Sequence, residues 1–290
     1  MDLRTDLALE AHQINGNHIK GVETDIRHCG NLRISRMQIT GGEAASRLCK
    51  AAGRYITVEG LPLTDNFRDV RQQIEAIAHE LEQLLPKEGS VLVIGIGNTD
   101  ITPDSLGPKS ADSVLATRHI SGELAKSTGL DKLRSVAVLS PGVLGQTGIE
   151  VGEIITSLAK KLRPAAVIAI DALASRSLSH LGRTIQISDS GISPGSGIGN
   201  HRLSLTKATL GIPVIGMGMP TVVDGLTLAC DILGKDSIDN KDILPAQERL
   251  IVTPKEIDLL TMRASRLIGM AINCALQKAY DFDELACLVS

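Results

Sequence analysis

Two apolar runs, Val91-Leu92-Val93-Ile94-Gly95-Ile96 and Val167-Ile168-Ala169-Ile170, constrain the fold of this chain more than any other feature. Neither alternates with polar residues, so each reads as a strand covered on both faces, the pattern of a parallel sheet between helix layers. The neighbouring segments agree. Residues 68–85 place Val70, Ile74, Ile77, Ala78, Leu81 and Leu84-Leu85 at helical spacing and stop at Pro86. Residues 110–126 and 148–162 read as helices, with a strand at 135–139 between them. Further strands fall at 184–187 and 213–217, and a long helix runs from Pro254, which suits a first helical turn, to about Tyr280. This alternation predicts an α/β fold with a mostly parallel central sheet and helices on both faces.

The first 53 residues are polar and punctuated by Gly41-Gly42 and Gly53, and only 55–59 reads as a strand. The stretch from about 7 to 60 is therefore expected to be irregular. Residues 229–253 hold the polar run Asp236-Ser237-Ile238-Asp239-Asn240-Lys241-Asp242 and read as a surface insertion. A chain of 290 residues suits one large domain with such appendages. Aromatic residues make up 1% of it, so the core is aliphatic and stacking platforms for single-stranded nucleic acid are excluded. A net charge of -3 also argues against a direct grip on nucleic acid. The five cysteines are scattered without a CxxC pair, which disfavours a disulfide framework or zinc knuckle and fits reduced thiols in a cytoplasm. The first residues lack the apolar core of a signal peptide, and no run reaches the roughly 18 apolar residues of a membrane span.

The polar residues after the two apolar runs carry the chemistry. Asp104 lies in a loop stiffened by Pro103 and Pro108, and Asp171 follows the second run directly. Acids just past the carboxyl ends of parallel strands lie where open α/β sheets bind ligands. Two carboxylates at one sheet edge can hold a water between them, one ionised to take its proton and one protonated to assist the leaving group. The alternative is that each acid caps a helix, Asp171 one over 173–179. Asp224 after the next strand reads more readily as a cap. Gly95-x-Gly97 lacks the third glycine of a dinucleotide turn and has Asp100 in its place. The Gly-rich loop 194–199 offers N–H groups for a substrate backbone or an oxyanion. No GxSxG or HExxH pattern is present, and His180 and His201 lie in the rim loops without metal-ligand spacing.

The segments Gly97-Asn98, Thr102-Pro103-Asp104, Leu106-Gly107-Pro108, Ile170-Asp171-Ala172-Leu173-Ala174-Ser175-Arg176, Ile187-Ser188-Asp189-Ser190-Gly191-Ile192, Pro194-Gly195-Ser196-Gly197 and Pro220-Thr221-Val222-Val223-Asp224 resemble the germination protease family of spore-forming bacteria. The likeness runs over nearly the whole chain. It implies an endopeptidase that begins the degradation of small acid-soluble spore proteins during germination, in the cytoplasm of the forespore and spore core. It also implies a homotetramer, no membrane partner, and a fold similar to the hydrogenase maturation endopeptidases (phosphorylase/hydrolase-like). Asp104 and Asp171 carry over as the catalytic pair, aspartic in type and without a cofactor. In the maturation enzymes matching acids bind metal, so the alternative is a metal-dependent peptidase that uses the same two acids as ligands. Family substrates are cut after an acidic residue in contexts like Thr-Glu-Ile-Ala-Ser-Glu, and Thr5-Asp6-Leu7-Ala8-Leu9-Glu10 repeats that pattern. The resemblance therefore implies a zymogen with a propeptide of residues 1–6, cut by the protein itself between Asp6 and Leu7, and a peptidase domain over 7–290. Such propeptides are often longer. Arg176 is the first choice for the cation that reads the acid before the cut and Arg202 the second, with Ser175 and Asn98 as further substrate contacts.

Overall fold

The two apolar runs lie side by side in the computed structural model of the protein, which describes residues 4–16, 18–61, 63, 67–120, 122–127, 129–193, 204–234 and 250–289. The first half of the chain contains α1 (Ala8–Ile14), β1 (Val22–Cys29), β2 (Leu32–Ile39), α2 (Gly42–Leu48), β3 (Gly53–Glu59), α3 (Arg71–Glu82), β4 (Val91–Gly95), α4 (Leu106–Asp112), α5 (Gly122–Ser127), β5 (Val136–Leu139) and α6 (Leu144–Thr147). It continues with α7 (Val151–Leu162), β6 (Ala166–Ser175), β7 (Thr184–Ser188), α8 (Lys207–Leu210), β8 (Val214–Asp224), α9 (Gly225–Leu233), β9 (Ile251–Val252), α10 (Ile257–Leu276) and α11 (Phe282–Leu288). Among the described residues the strands form a nine-stranded sheet in the order β1-β2-β3-β7-β8-β6-β4-β5, with β9 against β8.

The centre of this sheet is as expected. Strands β5, β4, β6 and β8 run parallel, in a register that pairs Val91 with Val136 and with Ala166, and Val167 with Val214. Side chains alternate between the two faces along each strand. Val91, Val93, Ile168 and Ile170 join the core formed with α3 and α10. Leu92, Ile94, Val167 and Ala169 join a second core with Val151 and Ile155 of α7. This double coverage explains why the runs are apolar throughout.

The N-terminal part is not irregular. Strands β1, β2 and β3 form an antiparallel meander, and β7 joins it to the parallel half by pairing antiparallel with both β3 and β8. β1 escapes a periodicity reading because it is the outer strand and its residues are mostly exposed, Ile26 among them at 48%. Charged residues on such an edge suppress pairing with other chains, so the strand reads as loop.

Other boundaries also move. The single helix expected over 110–126 is two, α4 and α5, and α4 starts before Pro108, which a first turn tolerates. The C-terminal helix ends at Leu276, and Asp281 opens α11 through a reciprocal cap with Glu284, at 2.7 and 2.8 Å. The expected insertion begins inside α9, and its residues 235–249 lie outside the described residues. Strands β6 and β8 run well past Ile170 and Met217, with an irregularity between Leu173 and Ala174 opposite Pro220. Asp171 is therefore inside β6 and not beyond its end, and no helix covers 173–179 for it to cap. It is the first β6 residue past the reach of β4, whose last partner is Ile170.

Candidate active site

The turn after β4 is shaped by two glycines that tolerate no side chain. A Cβ on Gly97, where φ is 133°, would lie 2.0 Å from the Asp104 carbonyl oxygen. One on Gly107 would lie 2.1 Å from the Ile96 oxygen and 2.5 Å from the Ile170 oxygen. With both positions bare, the segment 96–107 packs closely past the end of β4 and against the middle of β6, fastened by the Ile96 N–H to the Ile170 carbonyl at 2.8 Å. Asp104 closes a short 3-10 turn, Thr102–Asp104, that packs on β6 and β8. Its Oδ2 accepts the Asn98 N–H at 2.8 Å. Asn98 in turn accepts from the Asp100 N–H and from Gln146 at 2.9 and 2.6 Å, so it ties the turn to the rim.

Asp171 is 5% exposed, and its Oδ1 accepts the Ala172 N–H at 2.9 Å. It lines a cavity of about 270 Å³ together with Asp6, Lys50, Tyr55, Gln186 and Ser188. The fold thus lays the Asp104 turn against the strand that bears Asp171, and of the two acids Asp171 opens into the cavity. Asp224 is a helix cap: its Oδ1 accepts from the Thr227 N–H and hydroxyl, both at 3.1 Å. Among the described residues no three His, Cys, Asp or Glu side chains gather as a metal-holding group.

The chain's own N-terminus forms part of the wall of this site. The Asp6 N–H donates to the Ala174 carbonyl, and the Ala174 N–H donates to the Asp6 carboxylate, both at 2.8 Å. One amide, Gln186, clamps the peptide on either side of the Asp6–Leu7 bond. Its Nε2 donates to the Asp6 carbonyl at 3.0 Å, and its Oε1 accepts the Ala8 N–H at 2.7 Å. Leu7 and Ala8 have no accessible surface. Lys50 donates to the Thr5 carbonyl at 3.0 Å. Burial pulls the Lys50 pKa down, against the opposing charges of Asp6, Cys49 and Glu10.

Further along, Glu10 is 2% exposed and sits among donors. The Arg176 N–H reaches its Oε2 at 2.6 Å, and the Ser177 N–H and His180 Nδ1 reach its Oε1 at 2.9 and 2.6 Å. The other ring nitrogen of His180 faces Glu59 at 3.3 Å. Burial alone pushes the Glu10 carboxyl up, but the hydrogen bonds from His180, Thr5, Arg176 and Ser177 outweigh it and hold the group below its ordinary value. Burial pulls His180 down, yet its bonds to Glu10 and Glu59 carry it up to about 9.

The residue matches are extensive. A family model described as germination protease matches residues 3–240. The chain belongs to the germination protease family. A relative of that name from Caldanaerobacter subterraneus is 40% identical over 308 aligned positions, spanning 96% of this chain and 95% of the relative. One from Clostridium tetani is 38% identical over 319 positions, with 98% of each chain covered. A solved NiFe hydrogenase maturation protease from Thermococcus kodakarensis is similar at a TM-score of 0.38 and 18% identity, covering 67% of this chain and 98% of that one. The family makes the chain a protease of germination. No helix among the described residues is long and apolar enough to cross a membrane.

Two residues expected to contact substrate, Ser175 and Arg176, directly follow Ala174 on this rim. Arg176 meets the N-terminal segment through its backbone N–H, which binds Glu10. Ser175 has no accessible surface, and its hydroxyl donates to the Ser177 carbonyl at 3.1 Å, so it shapes the loop. Arg202, His201 and the Gly-rich loop 194–199 lie outside the described residues. Sequence reasoning does not reach Lys50 or Gln186, and it names Glu10 and His180 separately without showing that they pair. A signal existed for Gln186, a lone amide between Ile185 and Ile187 in an apolar strand. Lys50 gave none, because the stretch that carries it reads as irregular.

Proposed function

We propose that this protease is an endopeptidase made as a zymogen, that it cuts its own Asp6–Leu7 bond, and that Asp104 and Asp171 are its catalytic acids. The observation that carries the reading is that Asp6, whose carbonyl accepts from Gln186, lines the same cavity as Asp171. A frayed terminus would make no such contacts. In the reaction, the ionised member of the acid pair takes a proton from water as the water oxygen bonds to the Asp6 carbonyl carbon. Gln186 Nε2 holds the carbonyl oxygen as it gains charge. The protonated acid gives its proton to the Leu7 nitrogen as the carbon–nitrogen bond breaks, which leaves a carboxylate on Asp6 and an amine on Leu7. The two acids titrate as a pair, so the proton belongs to the pair and not to one residue.

In this reading the acid before the cut is recognised by the Ala174 N–H and by the charge of Lys50. The substrates in trans are small acid-soluble spore proteins, met in the spore core by a homotetramer. The match of Thr5–Glu10 to the family's cleavage context supports this. N-terminal sequencing after incubation at mildly acidic pH tests it. The expected result is a new terminus at Leu7 in the wild-type protein and none in Asp171→Asn. Cutting by folded Asp171→Asn removes that acid from the mechanism. Stoichiometric metal together with activity lost to a chelator would replace the two-acid chemistry by the metal-dependent alternative.

A further inference from the structure

The two edges of the sheet are finished differently. At β5, a strand of 4 residues, the chain covers the first of them itself. The Thr117 and Arg118 N–H groups donate to the Val136 carbonyl at 3.0 and 2.9 Å, and the Thr117 hydroxyl accepts the Val136 N–H at 3.0 Å. At β1 no strand among the described residues pairs with the outer side. Yet β1 matches β2 in length and pairs with it unbroken from Val22 opposite Ile39 to Cys29 opposite Leu32. β2 is covered on one face by Ile74 and Ile77 of α3 and on the other by Ala8, Ala11, Ala44 and Leu48 of α1 and α2. β1 reaches past both layers, and Glu23 to His28 are exposed. Edge strands are usually protected by being short, by a bulge, or by lysine or proline. β1 has none of these, and it carries the β-branched Thr24 and Ile26.

The register fixes which groups this edge presents. The Thr40 N–H donates to the Gly21 carbonyl at 2.9 Å, and in an antiparallel pair every second residue along the strand bonds in this way. Glu23, Asp25, Arg27 and Cys29 therefore bond to β2, and the N–H and C=O groups of Thr24, Ile26 and His28 point outward. A second β1 laid antiparallel can bond only through those even-numbered residues. With Ile26 opposite Ile26, Thr24 faces His28, and Asp25 faces Arg27 at the closer sites between the hydrogen-bonded pairs. The neighbouring alignments set Asp25 against Asp25 or Arg27 against Arg27. The charges of this edge thus exclude the wrong alignments and favour one. In the single chain Arg27 turns to its own Asp25 at 3.0 Å, with the two side chains 66% and 55% exposed. A contact so exposed is worth little and is readily exchanged. Asp25 is held in place by Arg36 at 3.2 Å, which also pairs with the buried Glu80 of α3.

We propose that the outer edge of β1 docks a second copy of this chain, the two β1 strands pairing antiparallel about a two-fold axis at Ile26 so that two sheets become one. The contact is isologous: Asp25 meets the partner's Arg27 on one side of the axis, and Arg27 meets the partner's Asp25 on the other. No β1 residue lines the cavity that holds Asp171, so this pairing leaves the cavity open. The contact stands on the sheet alone and does not rest on the acid pair or on how many copies the full assembly holds.

The test is sedimentation velocity of the full chain over a range of micromolar concentrations. The wild type is expected to run as a dimer or a larger even-numbered assembly. Ile26→Pro removes the central outward N–H, which β2 does not use, and is expected to halve the stoichiometry while the circular dichroism of the fold is kept. Arg27→Glu sets acid against acid on both sides of the axis, and Asp25→Arg sets cation against cation. Each is expected to weaken self-association by roughly tenfold. An equimolar mixture of these two variants restores opposite charges at both places and is expected to associate as the wild type does, a rescue that a merely structural role for either residue would not produce. A wild type that stays monomeric overturns the proposal, and so does a mixture that associates no more tightly than its components. An assembly that survives Ile26→Pro and both charge variants is built on another surface, which overturns the proposal and leaves the proposed protease function standing. If Ile26→Pro does not fold, the mixture decides.

Discussion

The pairing of Glu10 with His180 makes the hold on the N-terminal segment depend on pH in a defined direction. His180 has an ordinary pKa of 6.5 and is carried to about 9 in the fold, where it faces Glu10 on one side and Glu59 on the other. A group whose pKa rises on folding stabilises the fold while it is protonated in both states. The contribution is therefore complete below pH 6.5, declines as pH rises, and is gone above about 9. Glu10 acts in the opposite sense: its pKa is lowered, so its share is present above 4.5 and is lost as pH falls through its folded value. Both shares are intact between 4.5 and 6.5. With each pKa unit worth about 1.4 kcal/mol, the rise from 6.5 to about 9 corresponds to roughly 3 kcal/mol.

The measurement is urea unfolding at about pH 6 and about pH 9.5, on Asp171→Asn to keep the chain whole, with and without His180→Gln. Groups that titrate in both proteins, Lys50 among them, cancel in the difference. The protein with His180 should lose roughly 3 kcal/mol more than its partner across that interval. Amide exchange along α1 should speed up over the same interval. If the two stability curves run parallel, His180 is not held as an imidazolium by these carboxylates and the account of the anchor is wrong.

Gln186→Ala removes both halves of the amide clamp. Each neutral hydrogen bond is worth about 0.5–1.5 kcal/mol, so cutting at Leu7 should slow by about tenfold while the fold persists, and an unchanged rate would remove Gln186 from the positioning of the bond. Gly97→Ala drives a Cβ to 2.0 Å from the Asp104 oxygen at a φ that side chains avoid. It should destabilise by about 1–3 kcal/mol and abolish cutting, and an active, fully stable variant would show that the turn is not fixed as described. Asp281→Ala breaks the cap of α11 and should cost about 1 kcal/mol in unfolding with no effect on cutting.

The parallel half of the sheet was legible because burial on both faces leaves no room for polar residues in β4 or the first half of β6. The antiparallel half was not, since β1 is exposed on both faces over Glu23, Thr24, Asp25, Ile26, Arg27 and His28, a run with the composition of a loop. The end of β6 was misplaced for a related reason. An acid after four apolar residues looks like the end of a strand, yet Asp171 stays in the ladder because its side chain meets a polar cavity instead of a core. The same limit applies to the site. Asp104 and Asp171 stand out locally as acids after buried runs. Lys50 and Gln186 reach the cavity only because β7 brings the antiparallel half against β8, a pairing between residues far apart in sequence.

The contacts of the N-terminal segment divide sharply at the Asp6–Leu7 bond, and that division predicts what processing leaves behind. The pairing of Asp6 with Ala174, the bond from Lys50 to Thr5 and the Thr5–Glu10 bond all involve the departing piece. The Ala8 N–H on Gln186 and the three enzyme donors on Glu10 involve only the piece that stays. The apolar anchoring belongs to that second set as well, because Ala8 and Ala11 pack with Met37, Ile39, Leu48 and Tyr55. Cutting should therefore release residues 1–6 and leave α1 seated. Amides of α1 should keep most of their exchange protection after processing, including Ala11, which donates to the Leu7 carbonyl at 3.1 Å. Complete loss of that protection on cutting would mean that the departing residues, and not Glu10 and the small apolar cluster, hold the segment in place.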